Sequence, residues 1–352
     1  MNKYWSRRLA GLVPYTPGEQ PRDGVFIKLN TNENPYPPSP RAIAAMKDSA
    51  DADLRLYPDP TCRDLRAALS DFYRVTPEEV FAGNGSDEVL AFAFPAFFDP
   101  ARPILFADIT YSFYPVYANF FGIAYKTLPL DAGFGLPVDA FCQKSGGVLL
   151  ANPNAPTGKA VTLSDIEKIL AADSERVVIV DEAYVDFGAE SAVPLIRKYS
   201  NLLVVQTLSK SRALAGLRVG YALGDRGLIR ALETVKNAFN SYTIDRTAQR
   251  CAAEAIRDTA YFCEICENVA KTRDKTAKRL KDMGFRVLDS KANFLFISHE
   301  RKHAKALLRA LRAAGILVRW FDHPRIDNFL RVTIGSPAEM DAFCEKIEAF
   351  VR

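Results

Sequence analysis

The sequence is poor in histidine and cysteine, and it lacks long apolar runs and blocks of like charge. Its 352 residues include three histidines and six cysteines. The longest apolar stretch, residues 89–98, is interrupted by Pro95 and falls short of the ~20 residues that a membrane-spanning helix needs. The formal net charge of +4 is spread along the chain. This composition does not favour binding to nucleic acid or to a membrane.

The same scarcities argue against a metal centre and against export. The histidines, His299, His303 and His323, lack the paired spacing of a metal-binding helix. The close cysteine pair, Cys263 and Cys266, has no second pair at zinc-ribbon spacing. Residues 1–15 lack the apolar core of a secretory signal. We therefore expect a cytoplasmic protein with reduced cysteines and no metal.

What the sequence does contain is an alternation of helical patterns with short apolar runs. Runs of this kind lie at residues 103–106, 148–151, 177–180 and 202–206. Their near-continuous Val, Ile and Leu are typical of buried parallel strands. The predicted fold class is α/β, with a mostly parallel central sheet flanked by helices. Ligands are expected at the carboxyl ends of its strands.

Two changes of pattern divide the chain into three predicted parts. Residues 1–40 are rich in proline and are predicted to form an N-terminal arm that joins the small domain. Residues 41–245 are predicted to form the large α/β domain that carries the ligand site. Residues 246–352, which begin with a long charged helical pattern, are predicted to form a smaller α+β domain. Its last helix is signalled by Ser336, Pro337 and Glu339.

Two polar motifs predict loops that follow strands. Residues 83–88, Gly-Asn-Gly-Ser-Asp-Glu, predict a tight turn that opens a helix, whose free N–H groups can bind phosphate. A helix start without a ligand is the alternative, because Glu88 stands where a dinucleotide fingerprint has its third glycine. Residues 152–159 contain a Gly-Lys pair, but Pro153 and Ala160 exclude a P-loop. A rigid polar loop is predicted there instead.

Two further motifs place charged groups after buried strands. Asp181 follows four aliphatic residues, and a buried carboxylate needs a partner. A protonated pyridine nitrogen would be one, whereas the alternative is an Asp that caps the next helix. Lys210 lies within Thr-Leu-Ser-Lys-Ser and precedes Arg218 by eight residues. Hydroxyls and an arginine around a lysine indicate a phosphate clamp beside a reactive amine, although a surface lysine is the alternative.

Together the four motifs resemble those of the pyridoxal-phosphate aminotransferases of fold type I, and more closely the histidinol-phosphate aminotransferase family, over essentially the whole chain. The resemblance implies a fold type I transferase with pyridoxal 5'-phosphate bound as a Schiff base to Lys210. It also implies small-molecule partners, an amino donor such as histidinol phosphate and a 2-oxo acid acceptor such as 2-oxoglutarate.

The resemblance also implies roles for individual residues around the cofactor. Asp181 would pair with the pyridine nitrogen, Tyr184 would bond the phenolic oxygen, and Tyr111 would stack on the ring. The residues that would hold the cofactor phosphate are Ser86, Asp87, Thr207, Ser209 and Arg218.

Further residues resemble those that family members use on the substrate. Arg331 matches an arginine that binds a substrate carboxylate, and Arg319 and Tyr15 resemble residues that hold the substrate phosphate. For Arg319, a solvated strand end is the alternative. Tyr57 matches a tyrosine that reaches the cofactor phosphate of the neighbouring subunit. The resemblance therefore implies a homodimer with shared active sites.

One position departs from the family pattern. Ala155 stands where family members commonly have an asparagine that bonds the phenolic oxygen of the cofactor. We expect Asn154, or otherwise Asn152, to compensate.

Three other functions are compatible with a similar scaffold. An aromatic amino-acid aminotransferase and a threonine-phosphate decarboxylase would differ in the side chains of the substrate pocket. A non-catalytic sensor that binds pyridoxal phosphate would carry a helix-turn-helix region, and none is visible in the sequence.

Overall fold

In the computed structural model, which describes residues 3–6, 9, 11–21 and 24–351, the chain forms two separate sheets with helices packed on them. The remaining positions of the predicted arm, residues 1, 2, 7, 8, 10, 22 and 23, lie outside the described residues, as does residue 352. The first strand, β1 (Ile27–Leu29), belongs to the smaller sheet.

The larger sheet has seven strands in the order β2-β8-β7-β6-β5-β3-β4. Strand β8 runs antiparallel to both of its neighbours, and the other six strands share one direction. This confirms the predicted mostly parallel sheet. The strands are β2 (Val80–Gly83), β3 (Ile104–Ala107), β4 (Tyr125–Leu128), β5 (Gly147–Ala151), β6 (Val178–Asp181), β7 (Leu202–Thr207) and β8 (Gly220–Gly224).

Helices cover both faces of this sheet, because its central strands are apolar on both sides. Val178 and Val180 of β6 pack into one apolar cluster, whereas Ile179 packs into a second cluster on the opposite face. None of the described helices is long and apolar enough to cross a membrane. The helices that lie between β1 and the end of this part of the chain are α1 (Pro40–Asp48), α2 (Arg63–Tyr73), α3 (Gly85–Phe97), α4 (Tyr114–Phe121), α5 (Val138–Phe141), α6 (Leu163–Ala171) and α7 (Arg226–Phe239).

The smaller sheet has the order β1-β11-β12-β10-β9. Strand β1 pairs in parallel with β11, and the other pairs are antiparallel. The proline-rich segment thus contributes a strand to the smaller sheet. The elements after α7 are α8 (Arg246–Arg257), α9 (Thr259–Asp282), β9 (Phe285–Val287), β10 (Phe294–His299), α10 (Ala304–Ala313), β11 (Ile316–Trp320), β12 (Leu330–Thr333) and α11 (Pro337–Val351).

The structure confirms the predicted start of the last helix. The Ser336 hydroxyl accepts from the Glu339 backbone N–H, and the Glu339 carboxylate accepts from the Ser336 N–H at 2.7 Å. These two bonds satisfy donors that a helix start otherwise leaves free.

The long charged helix predicted after residue 246 is two helices, which corrects the sequence-based expectation. Asp258 separates α8 from α9 with a non-helical backbone, and its side chain accepts from the Tyr261 N–H. An aspartate at such a position caps the following helix, so it interrupts an otherwise continuous helical pattern. Because α8 packs against α1 and α2, the domain boundary at residue 246 stays a prediction.

Candidate active site

All but two of the predicted site residues, although they come from distant parts of the chain, meet at one cavity. They follow strands of the larger sheet, except for one on the N-terminal arm and two on the smaller sheet. The predicted residues that line the cavity are Tyr15, Ser86, Asp87, Tyr111, Asp181, Tyr184, Thr207, Ser209, Lys210, Arg218, Arg319 and Arg331.

Lys210 presents its amine to this cavity from the loop after β7. Its Nζ donates to the Thr31 carbonyl oxygen at 3.2 Å and lies 6.0 Å from the centre of the Tyr184 ring. Burial, together with the positive charge of Arg331, lowers the pKa of Lys210 to about 8. A substantial fraction of the amine is therefore neutral near physiological pH, which is the form that attacks a carbonyl carbon.

Several hydrogen-bond donors lie close together around the start of α3. Gly85 opens this helix with a φ of +81°, and a Cβ there would lie 2.6 Å from the Arg218 guanidinium. A Cβ on Gly220 would overlap the Ser86 nitrogen. Both glycines thus let Arg218 and β8 approach the helix start, whose first N–H groups have no helical partner.

Hydroxyl groups complete this donor set. Thr207 donates to the Ser209 hydroxyl at 3.0 Å, and the Arg218 guanidinium lies 3.4 Å from the same oxygen. Arg218 also pairs with the Asp87 carboxylate at 3.3 Å, and Tyr111 donates to Asp87 at 2.8 Å. Hydroxyls, a guanidinium and a helix start in one place are the chemistry that binds a phosphate group.

Asp181 ends β6 and is 6% exposed. One carboxylate oxygen accepts from the Tyr114 hydroxyl at 2.8 Å, and the other accepts from the Ala183 N–H at 3.2 Å. Burial raises the pKa of Asp181 to about 6. The carboxylate forms no salt bridge with the described residues, so a cation in the cavity would stabilise its charged form.

Two arginines of the smaller sheet bring positive charge to the other side of the cavity. Arg319 and Arg331 lie opposite each other in the pairing of β11 with β12. They donate to backbone carbonyl oxygens of the N-terminal segment, and within the described chain neither forms a salt bridge. Like charges placed opposite each other repel, so this pair favours an anionic ligand.

The N-terminal arm closes this side of the cavity. The Arg319 guanidinium donates to the Thr16 and Pro17 carbonyl oxygens at 3.1 and 3.2 Å. The Tyr15 ring stacks on Phe113 with 4.8 Å between ring centres. Tyr15 is therefore held beside Arg319 and Tyr111.

The structure does not bring two of the predicted residues, Asn154 and Tyr57, to the cavity. The Asn154 amide donates to the Ile109 carbonyl and accepts from the Thr110 hydroxyl. The Asn152 side chain instead bonds the Val161 backbone. Neither asparagine lines the cavity, and the compensation expected for Ala155 stays a prediction.

Tyr57 lies on the surface, with 79% of its area exposed, and stacks on Tyr242. Within one chain it does not line the cavity.

Three polar residues at the site were not predicted from the sequence. Tyr114 contacts Asp181, and Asn32 and Thr333 form hydrogen bonds that lead to Tyr184. A weak signal existed for Asn32, which lies in a polar run directly after the apolar residues of β1. Only the folded chain shows which side chains these residues contact.

For the protein without bound ligand, we expect Asp181→Asn to raise the free energy of unfolding at pH 8 by about 3 kcal/mol. The folded pKa of Asp181 is about 6, above the ordinary value of 3.8. Its contribution to stability is therefore full below the ordinary pKa and is lost as the pH rises through about 6.

Urea unfolding of both proteins at pH 4 and pH 8 measures this effect. The nearby Glu182, whose pKa burial also raises, is present in both proteins and cancels in the comparison. An advantage of the variant that is the same at both pH values would contradict the assignment.

Comparisons with known proteins agree with this geometry. Residues 25–347 match the family described as aminotransferase class I and II. The chain is 54% identical over 348 residues to histidinol-phosphate aminotransferase of Clostridium acetobutylicum, with 99% of each chain covered. It is 51% identical over 347 residues to the protein of the same name from Clostridium beijerinckii, with 99% of this chain and 97% of the relative covered. These matches confirm the resemblance seen in the sequence.

A solved structure has the same fold. It is histidinol-phosphate aminotransferase from Sinorhizobium meliloti in complex with pyridoxal-5'-phosphate, with a TM-score of 0.89 and 23% identity over 99% of this chain and 98% of that one. With this fold and the matched relatives together, the chain belongs to the class I and II family of aminotransferases, which depend on pyridoxal phosphate.

Proposed function

We propose that this aminotransferase transfers the amino group of L-histidinol phosphate to 2-oxoglutarate, which gives imidazole acetol phosphate and L-glutamate in histidine biosynthesis. The observation that carries the proposal is one cavity that joins the amine of Lys210 to two arginines without acidic partners. The names of the relatives that match over nearly the whole chain support the choice of substrate.

The residues at the cavity fit pyridoxal phosphate. The donors around Gly85, Ser209 and Arg218 suit its phosphate, and the buried carboxylate of Asp181 suits a protonated ring nitrogen. When bound, the cofactor supplies an aldehyde carbon that an amine can attack and a ring that accepts electrons.

The residues of the chain then have separate tasks. Asp181 would hold a positive charge on the ring nitrogen, because its own negative charge is otherwise unpaired and buried. Tyr111 and the donors at the start of α3 would position the ring and phosphate. Lys210 Nζ would hold the cofactor, and its amine, when free, would take up and return a proton. Its lowered pKa suits both directions of proton transfer near neutral pH.

Both proposed substrates carry the anions that the arginines favour. Histidinol phosphate has a phosphate group, and 2-oxoglutarate has carboxylates. Arg331 has a buried Nε without a hydrogen-bond partner among the described residues, so its N–H can donate to a substrate oxygen without breaking an existing bond. Arg319 and Tyr15 lie beside each other where the arm crosses the cavity. We assign them to the substrate phosphate.

An exposed apolar strip supports the proposal of a homodimer. This strip consists of Leu54, Leu56, Tyr57, Phe239 and Tyr242, with exposures between 42% and 79%. Large exposed apolar groups close together are typical of an interface between chains. We infer that the strip packs against a second copy and that Tyr57 reaches the cofactor phosphate of that copy. We also propose that the enzyme works in the cytoplasm, since all six cysteines are free thiols.

The proposed substrate is tested by glutamate formation from 2-oxoglutarate with three amines: histidinol phosphate, phenylalanine and threonine phosphate. We expect histidinol phosphate to give the highest kcat/KM. Because Arg319 is assigned to the phosphate, Arg319→Gln should lower kcat/KM for histidinol phosphate by about tenfold or more and affect phenylalanine less. Lys210→Ala is the inactive control. A preference for phenylalanine, or carbon dioxide release from threonine phosphate, would favour one of the related activities instead.

The proposed sharing of sites is tested by mixing the inactive variant Lys210→Ala with a second variant, Tyr57→Ala, that is expected to be weakly active. Lys210→Ala keeps Tyr57, and Tyr57→Ala keeps Lys210. Because a hybrid dimer would hold one complete site, unfolding and refolding the mixture should restore about a quarter of the wild-type activity. If Tyr57 serves its own chain, the mixture will show only the average of the two separate variants.

A further inference from the structure

A short network of hydrogen bonds leads from the smaller sheet to the hydroxyl of Tyr184. The Asn32 backbone N–H donates to the Thr333 Oγ1 at 3.0 Å, and that hydroxyl donates to Asn32 Oδ1 at 3.0 Å. Asn32 Nδ2 then lies 3.0 Å from the Tyr184 oxygen. Asn32 and Thr333 are 1% and 2% exposed, so the network is shielded from water at its inner end.

The chemistry of the donors fixes the direction of every bond in this network. A backbone N–H can only donate, so the Thr333 oxygen accepts there, and among the described residues the acceptor that the Thr333 hydrogen meets is Asn32 Oδ1. This assigns the orientation of the amide and turns Nδ2 towards Tyr184. Because Nδ2 can only donate, the Tyr184 oxygen accepts, and the hydroxyl hydrogen must point elsewhere.

The side chains around Tyr184 leave its hydroxyl hydrogen free to point into the cavity. Its ring packs edge-on against Phe294, with 5.1 Å between ring centres. Ala155 packs beside the same ring and offers no polar side-chain atom. Among the described residues, none accepts a hydrogen bond from the Tyr184 hydroxyl. Tyr184 lines the cavity, so a ligand with an acceptor there would receive its hydrogen.

The backbone of Asn32 is held in an unusual conformation that maintains this arrangement. Its φ is 57°, in the left-handed region, which asparagine tolerates better than most residues. The Asn32 carbonyl oxygen accepts from Asn293 Nδ2 at 3.0 Å. Both ends of this residue are therefore fixed, and its amide has one available orientation.

We propose that Asn32 and Thr333 are positioning residues that direct the hydroxyl hydrogen of Tyr184 into the cavity, towards an anionic oxygen of the ligand. The inference rests on the proposed function, in which that oxygen is the phenolic oxygen of pyridoxal phosphate. With alanine at position 155, the smaller sheet acts on this oxygen through Tyr184, rather than by an amide of the 152–159 loop.

The test measures the pH midpoint at which the visible absorbance of the Lys210-bound cofactor changes in the holoenzyme. Asn32→Asp replaces the Nδ2 donor by an acceptor, so Tyr184 would turn its hydrogen towards the new carboxylate. A hydrogen bond to the charged form of an oxygen stabilises that form. Without the bond from Tyr184, the negative charge on the cofactor's phenolic oxygen is less well stabilised, so the cofactor holds its proton to a higher pH. The midpoint should therefore rise by about one pH unit.

Thr333 gives a second variant and its matched control. Thr333→Val removes the hydroxyl that orients the amide and should raise the midpoint in the same direction. Thr333→Ser keeps the hydroxyl and should leave the midpoint unchanged. If Asn32→Asp fails to fold, the Thr333 pair tests the proposal alone, and equal midpoints in these two variants would overturn it.

The ionisable groups that face Tyr184 are unchanged in all these variants. They are Arg331 on β12, Asp181 on β6, Tyr15 on the arm and Lys210 after β7. The carboxylate introduced at position 32 adds a new charge, so Asn32→Asp is also measured in a Tyr184→Phe background. If Asn32 acts through Tyr184, it should add no further shift there.

Two results would overturn the proposal: a wild-type midpoint in Asn32→Asp, or the same shift from Asn32→Asp with and without Tyr184. A wild-type protein that binds the cofactor and turns over histidinol phosphate would leave the proposed function intact in either case. The failure of the proposed function would instead be seen in the wild-type protein, as absent turnover.

Discussion

The site depends on buried charges that the protein itself leaves without counter-ions. Asp181 is a carboxylate at the end of a central strand, and burial raises its pKa to about 6. Lys210 is an amine in the same cavity, and burial lowers its pKa to about 8. Burial favours the neutral form of both groups until a ligand supplies charges of opposite sign. The fold maintains this condition because β6, which ends at Asp181, and β7, which precedes Lys210, are apolar on either face.

The smaller sheet contributes the remaining polar groups and therefore completes the site. Arg319 and Arg331 lie on adjacent strands of this sheet, and the segment after β1 carries Asn32. Hydrogen bonds from Asn32 to Tyr184 and from Lys210 to the Thr31 carbonyl connect the two sheets directly at the cavity. A change in the position of the smaller sheet would consequently alter both the substrate anion site and the surroundings of the reactive amine.

The sequence predicted those parts of the fold and site that depend on local pattern. Continuous aliphatic residues located β6 to within one residue, and short motifs identified Lys210, Asp181 and Arg218 as cavity residues. Side-chain direction was not predictable in this way. Asn154 belongs to a recognised motif, yet its amide turns to Thr110 and the Ile109 backbone, because the loop needs these bonds to satisfy its own polar groups.

Contacts between distant residues were also beyond local reasoning. Tyr184 and Asn32 are separated by 152 positions, and no short-range pattern connects them. The interrupted helix at Asp258 has a local cause, but the surrounding helical pattern obscured it. Tyr57 lies on the surface of the chain, a position that its local motif did not predict.

The most direct test of the account is the chemical identity of the residue that binds the cofactor. Borohydride reduction of the holoenzyme, followed by peptide mass spectrometry, locates a cofactor that is bound to an amine. The account predicts the added mass of the reduced cofactor on the peptide that contains Lys210. Attachment to another lysine, or no attachment after incubation with pyridoxal phosphate, would contradict it.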